Sequence, residues 1–329
     1  MKRNFLVAAG LTMLALGTAQ AQDLASPKCP GGTLLTDPNR VSQDACQQAY
    51  DLFQFMAPQL GLALAGGNAT LGTGSTLGGL GHFSIGVRAN AFQGKLPQVQ
   101  SFTQSTSGAQ KNPSLPTSDQ WLGLPVADAA VGIFPGIPLG LTNVGGIDLL
   151  VSGTYVPTIT SGSVTVTPSS NVQVGYGARI GILQESIVVP GVSFTYLKRD
   201  LPTTSITGTS GGNTLRVDAL SDNTTAWRVV AGKSFLVFGV AAGYGMDKYE
   251  SGANISATVS GLGSTSIAST QSLDRTNMFA DVSLNLPLFK LVGEIGQNSG
   301  GTVQTYNGFS GGRADQSYQY FSAGLRLAF

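Results

Sequence analysis

Few residues in this chain could do chemistry. Of its 329 residues only 11% are charged, one is histidine and two are cysteine. The charged residues that stand out are Arg88, Asp128, Asp148, Arg179, Arg228, Asp281, Glu294 and Arg326. Each falls between apolar residues at alternate positions, so in an extended chain it points away from the apolar face. Four are cations and four are anions. Facing one another across a narrow interior, they would form a salt-bridge network that fills and rigidifies it. Lining an open passage, they would set a weak, mixed-sign selectivity. A hydrolase needs a histidine within hydrogen-bond reach of a serine or carboxylate. The one candidate, His82, opens the first alternating segment and reads as a structural interior residue, so the chain is not expected to be an enzyme. Gly72-Thr73-Gly74 and Gly208-Thr209-Ser210-Gly211-Gly212 lack the Lys-Ser/Thr that completes a phosphate loop. One histidine and two cysteines argue against a His/Cys metal site, and no cofactor is expected.

The elements that must position these charges are strands. Phe83, Ile85, Val87, Ala89 and Ala91 alternate with Ser84, Gly86, Arg88 and Asn90. Val172, Val174, Tyr176, Ala178, Ile180 and Ile182 repeat the pattern, as do Met278, Ala280, Val282, Leu284 and Leu286. The same parity predicts about ten strands, over 82–93, 125–137, 146–157, 171–183, 189–199, 224–233, 235–248, 274–286, 289–299 and 316–329, or twelve if parts of 95–107 and 213–219 also pair. Most are 10–14 residues long, and a tilted membrane strand needs about 9–11. Short connections alternate with long ones over 94–124, 158–170, 200–223, 249–273 and 300–315. That is the rhythm of short inner turns and longer outer loops. Val237, Gly239, Ala241, Gly243 and Gly245 form a small-residue inward face that leaves room for a channel or for long arginines.

Composition agrees. Glycine accounts for 45 residues and mean hydropathy is +0.15, which argues against disorder. A net charge of +1 with no long basic run argues against nucleic-acid binding. Lys2 and Arg3, the apolar run Phe5 to Gly17 and Ala19-Gln20-Ala21 read as a cleaved secretory signal over 1–21. Once exported, Cys29 and Cys46 allow one internal disulfide. No later run of about 20 apolar residues offers a spanning helix, so the remaining membrane architecture is a closed barrel.

The last strand carries a resemblance. Phe321, Ala323, Leu325, Leu327 and a terminal Phe329 resemble the C-terminal strand of Gram-negative outer-membrane β-barrel proteins. The resemblance implies an antiparallel transmembrane barrel over 82–329, location in the outer membrane among its lipids, and Phe329 as a signal to the barrel-assembly machinery. Phe134, Phe235, Phe289 and Phe329 at one end, and Tyr155, Tyr196 and Tyr244 at the other, are read as interfacial girdles.

Residues 22–81 differ. Gln43 to Met56 reads as an amphipathic helix with Ser42 as N-cap and Pro58 ending or kinking it, followed by a glycine-rich tether. This segment either plugs the barrel or caps its inner rim. A plug would be similar to the hatch of the long-chain fatty-acid transporter family, whose barrels have more strands and whose N-terminal motif is not found here. The function expected is passive transport of small solutes, hydrophobic ones included, through a narrow or plugged lumen. The alternative is a closed structural or surface-interaction barrel.

Overall fold

The computed structural model describes residues 26–31, 37–161, 164–210 and 212–329; the expected signal segment 1–21 lies outside them. Ten strands form the wall: β1 (Phe83–Pro97), β2 (Pro125–Phe134), β3 (Gly146–Tyr155), β4 (Val172–Leu183), β5 (Gly191–Asp200), β6 (Asn213–Phe235), β7 (Phe238–Val259), β8 (Gly263–Asn285), β9 (Lys290–Ser299) and β10 (Tyr318–Ala328). Each pairs antiparallel with its neighbours in chain order. The ring closes where β10 meets β1, with Ile85 opposite Leu327 and Ala91 opposite Phe321. Closure leaves no open strand edge in the hydrocarbon, where an unpaired peptide group costs several kcal/mol.

Alternation assigns the two faces. Val87 is 56% exposed on the outside while its neighbour Arg88 is 3% exposed inside. The outward apolar run stops at a common level. Beyond Ala91, Trp227, Met246, Met278, Ile295 and Phe321, the next outward residues are Gln93, Thr225, Lys248, Thr276, Gln297 and Gln319. Phe134, Phe235 and Phe329 are exposed at the inner ends, and Tyr155, Tyr196 and Tyr244 on the outer side, so rings flank the apolar band at both levels. Phe83 and Phe329 stack at 5.1 Å where the ring closes.

Three stretches expected as outer loops, 158–170, 200–223 and 249–273, are mostly strand among their described residues. β6, β7 and β8 run 23, 22 and 23 residues, about twice what crosses a membrane. Alternation persists there in a weaker form, with Val217, Ala253, Ile255 and Ala257 inward between serines, threonines and asparagines. Those inward residues have something to cover, so pairing continues past the bilayer.

What they cover is α1 (Pro38–Ala65), which begins on Asp37, whose carboxylate accepts from Asn39 N at 2.8 Å. The expected helix over 43–56 with Ser42 as its cap is therefore too short at both ends. Pro58 sits inside the helix and does not end it. Proline removes the N–H that would serve the carbonyl four residues back, here Gln54 O. Gln271 Nε2 of β8 donates to that carbonyl at 3.0 Å and replaces it. The helix lies within the ring against β6, β7 and β8, meeting β1 and β5 more lightly. Ala49, Phe53 and Ala57 pack on Val217, Leu220, Ala253 and Ile255. Deeper, Leu62 and Ala63 join Phe92, Val230, Phe279 and Tyr320. At the outer end Cys29 and Cys46 are bonded, 6.0 Å apart at Cα and buried with Ala45, Ala257 and Val259. Residues 66–82 then descend through the lumen to β1 at the inner end.

Gln271→Ala is expected to cost about 1–3 kcal/mol by orphaning a buried carbonyl, read as a lower urea midpoint of the refolded barrel. Adding Pro58→Ala, which supplies the missing N–H, should recover most of that loss.

Candidate functional site: the plugged lumen

The interior is arranged around the main chain of residues 64–77. From the wall, three carboxylates accept its amides. Glu294 on β9 takes Asn68 N at 3.1 Å, Asp281 on β8 takes Gly72 N at 3.1 Å, and Asp148 on β3 takes Leu77 N at 3.1 Å. Lys290 Nζ returns a bond to Gly72 O at 3.0 Å, and Gln184 Nε2 donates to Thr76 O at 3.0 Å. At the end of α1 the polarity reverses. Arg199 donates to Leu64 O at 3.4 Å, Arg228 to Ala65 O at 3.2 Å and Arg88 to Gly66 O at 2.8 Å, joined by Asn90 on Gly66 O. Terminal helix carbonyls have no partner within the helix and carry its negative end, so cations suit them.

The same arginines are held by acids. Arg88 and Arg199 share Asp128, and Arg228 pairs with Asp247. Arg179 meets Asp148 through two N–H groups at 2.6 and 2.9 Å, both side chains fully buried. Tyr249, Asn277 and Asn298 complete the shell around Asp247. Arg326 lines a small gap with Ser84, Arg88 and Asp128.

All eight charges singled out by parity thus face the interior, but only Arg88–Asp128 and Arg179–Asp148 pair with each other. Asp281 and Glu294 sit opposite each other across the β8–β9 register and serve the plug. The partners not anticipated are Arg199, Asp247 and Lys290. Each continues the inward parity of its strand near or beyond the expected strand end. The room beside Gly243 is taken by Phe279, whose ring lies 2.2 Å from where a Cβ would stand, so the small-residue face is filled. Val237 is 49% exposed at a turn and is not part of that face. His82, expected inside, is exposed at the inner rim, where its backbone bonds Gly79 and Gly132.

On the outer side, helix carboxylates hold the long connections. Asp44 accepts Ser105 N and Gln110 N, each at 2.8 Å. Asp51 accepts Tyr306 N, Asn307 N, Asn307 Nδ2 and Gln47 Nε2, all within 2.8–3.1 Å. Burial nevertheless pushes the Asp51 carboxyl up to about 6, against those amide donors.

No family model matches the chain, and no curated protein matches it in sequence. Solved structures match it in fold. The outer-membrane protease OmpT of Escherichia coli is 9% identical, covering 75% of this chain and 96% of its own, with a TM-score of 0.39. The toluene transporter TodX of Pseudomonas putida is 13% identical, covering 75% and 88%, with a TM-score of 0.34. At such values neither substrate nor activity carries across. OmpT does correct one expectation: the sequence reads as non-enzymatic, yet a barrel similar to this one is a protease, so the fold leaves enzymatic activity open. The closed ring, its apolar band and its flanking aromatic residues define a bacterial outer-membrane β-barrel. Its lumen carries a plug made from the chain's own N-terminal segment.

Arg179→Gln leaves Asp148 buried without its cation and should cost about 3–5 kcal/mol in a urea titration; Asp148→Asn in the same chain should restore part of it. Because the folded value of Asp51 lies above that of the free side chain, its ionised form is the costly one, and stability falls as pH rises through about 4 to 6. The melting-temperature advantage of the wild type over Asp51→Asn should therefore be larger at pH 4.5 than at pH 7.

Proposed function

We propose that this chain is a gated outer-membrane channel for small polar solutes, with residues 66–82 as its gate. One observation carries the reading. The gate is held mainly by hydrogen bonds between its main chain and charged wall residues, with a smaller apolar contribution from Ala69 and Leu77 on Ala130, Leu150 and Leu197 and from Leu71 beside Gly324. Water can take over such bonds when the segment withdraws, and each is worth only about 1.5–3 kcal/mol net. Seven of the residues 66–82 are glycine, which lose the most conformational freedom on being ordered. The wall left behind is polar and would wet. α1 stays on the β6–β8 side, anchored by its apolar clusters as far as Ala63, while its last residues Leu64 and Ala65 release with the gate, so a path opens along β1–β5. A wall of arginines and carboxylates is a poor surface for the hydrophobic solutes included in the expectation from sequence.

The test is planar-bilayer conductance of the full-length protein beside a Leu71→Cys/Gly324→Cys variant. A Cβ at Gly324 would touch the Leu71 side chain, so the pair can tether gate to wall. Brief openings are expected from the wild type and from the reduced variant, and none from the oxidised one. Silence of the wild type under all voltages would instead favour a closed structural barrel, whose buried ion pairs serve stability alone.

A further inference from the structure

We propose that the three arginines at the end of α1 form a receptor for a small organic carboxylate, and that the helix's own terminal carbonyls occupy it while the gate is seated. This rests on the channel reading, because a solute reaches the receptor only when residues 66–82 move.

Arg88 comes from β1, Arg199 and Arg228 from β5 and β6 on the far side of the ring, and all three converge on the consecutive carbonyls of Leu64, Ala65 and Gly66. A helix end needs less. Gly66 N already closes on Leu62 O at 2.8 Å, and a single nearby cation is enough to answer the macrodipole.

Counted by direct ion pairs the cluster does not balance, since the next acid, Glu294, reaches Arg88 only through Ser322 and Asn90. Three guanidiniums share two carboxylates, Asp128 and Asp247. The helix end offers only about half a negative charge to the remaining cation. Donors are also left over: Arg88 Nη2 and Arg228 Nε have no acceptor, although these residues are 3% and 4% exposed. A neutral peptide carbonyl uses one N–H of each arginine. A carboxylate brings a full charge and two oxygens, and it takes paired N–H groups of a guanidinium. Asn90 Nδ2, which also bonds Gly66 O, adds a neutral donor beside the arginines. The seated helix end therefore acts as an internal stand-in for an anionic ligand, and ligand and gate compete for the same donors.

The experiment uses the full chain in proteoliposomes with Ala69→Cys as reporter, since Ala69 is half-buried in the gate and both native cysteines are bonded. The rate of maleimide labelling is measured with succinate and with its neutral analogue succinamide, at constant sodium chloride. Labelling is expected to rise several-fold with succinate and to stay flat with succinamide. Arg199→Gln, or Arg88→Gln should the first not refold, should abolish the difference, while Arg199→Lys keeps part of it. Equal labelling with the two compounds, or an undiminished succinate effect in the glutamine variants, overturns the proposal. A succinate effect in a barrel that never conducts would leave the receptor standing and remove the channel. Conductance without any succinate preference would do the reverse.

Discussion

A polypeptide that runs through the inside of a closed barrel must find partners for its own peptide groups, because the wall has spent its backbone on the ladder and little water remains. Here the side chains of the wall meet that demand. Carboxylates on β3, β8 and β9 receive the amides of the descending chain, and guanidiniums on β1, β5 and β6 receive the carbonyls at the end of the helix. An unsatisfied buried polar group costs about 1–3 kcal/mol, so neither partner is comfortable alone. A plug without the charged wall would carry bare peptide groups, and a wall without the plug would carry charges short of partners.

The outer and inner halves of the plug are held by different physics. Near the outside α1 is pinned by a disulfide, by apolar contacts with the extended parts of β6 and β7, and by acids that tie down the loops above it. Near the inside the chain buries few apolar side chains, Ala69, Leu71 and Leu77, and polar bonds to the wall do most of the holding. The first half behaves as part of the scaffold. The second is attached to that scaffold by contacts of a kind that exchange with solvent.

Much of the wall was legible in the sequence because strand parity is a one-residue rule. A charge between two outward apolar residues has to face inward, whatever it touches, and Arg88, Asp148, Arg179 and Asp281 are all buried inside the ring. Parity said less about where strands stop. The apolar side of the code ends at the bilayer edge, whereas pairing continues wherever the inner face has something to cover, so 249–273 looked like loop. Pro58 misled for a related reason: its effect on a helix depends on whether a distant side chain, Gln271, can replace the lost donor. The contacts of Asn68, Gly72 and Leu77 left no trace at all, because they are made by main-chain amides that any residue would offer. His82 was misplaced because the first strand begins one residue later, beyond the rim.

The direction of α1 has a consequence for how the molecule is made. Its first turn and the disulfide stand at the outer end of the ring, while β1 begins at the inner end. Chain delivered from the periplasm enters the membrane with its earlier part already pointing out of the cell. Residues 26–65 must therefore either be drawn outward through a ring still open at the β1–β10 seam, or be encircled as that seam closes. Biogenesis and topology are coupled: the last hydrogen bonds of the wall, between the first strand and the final phenylalanine, are also the ones that lock the thread inside.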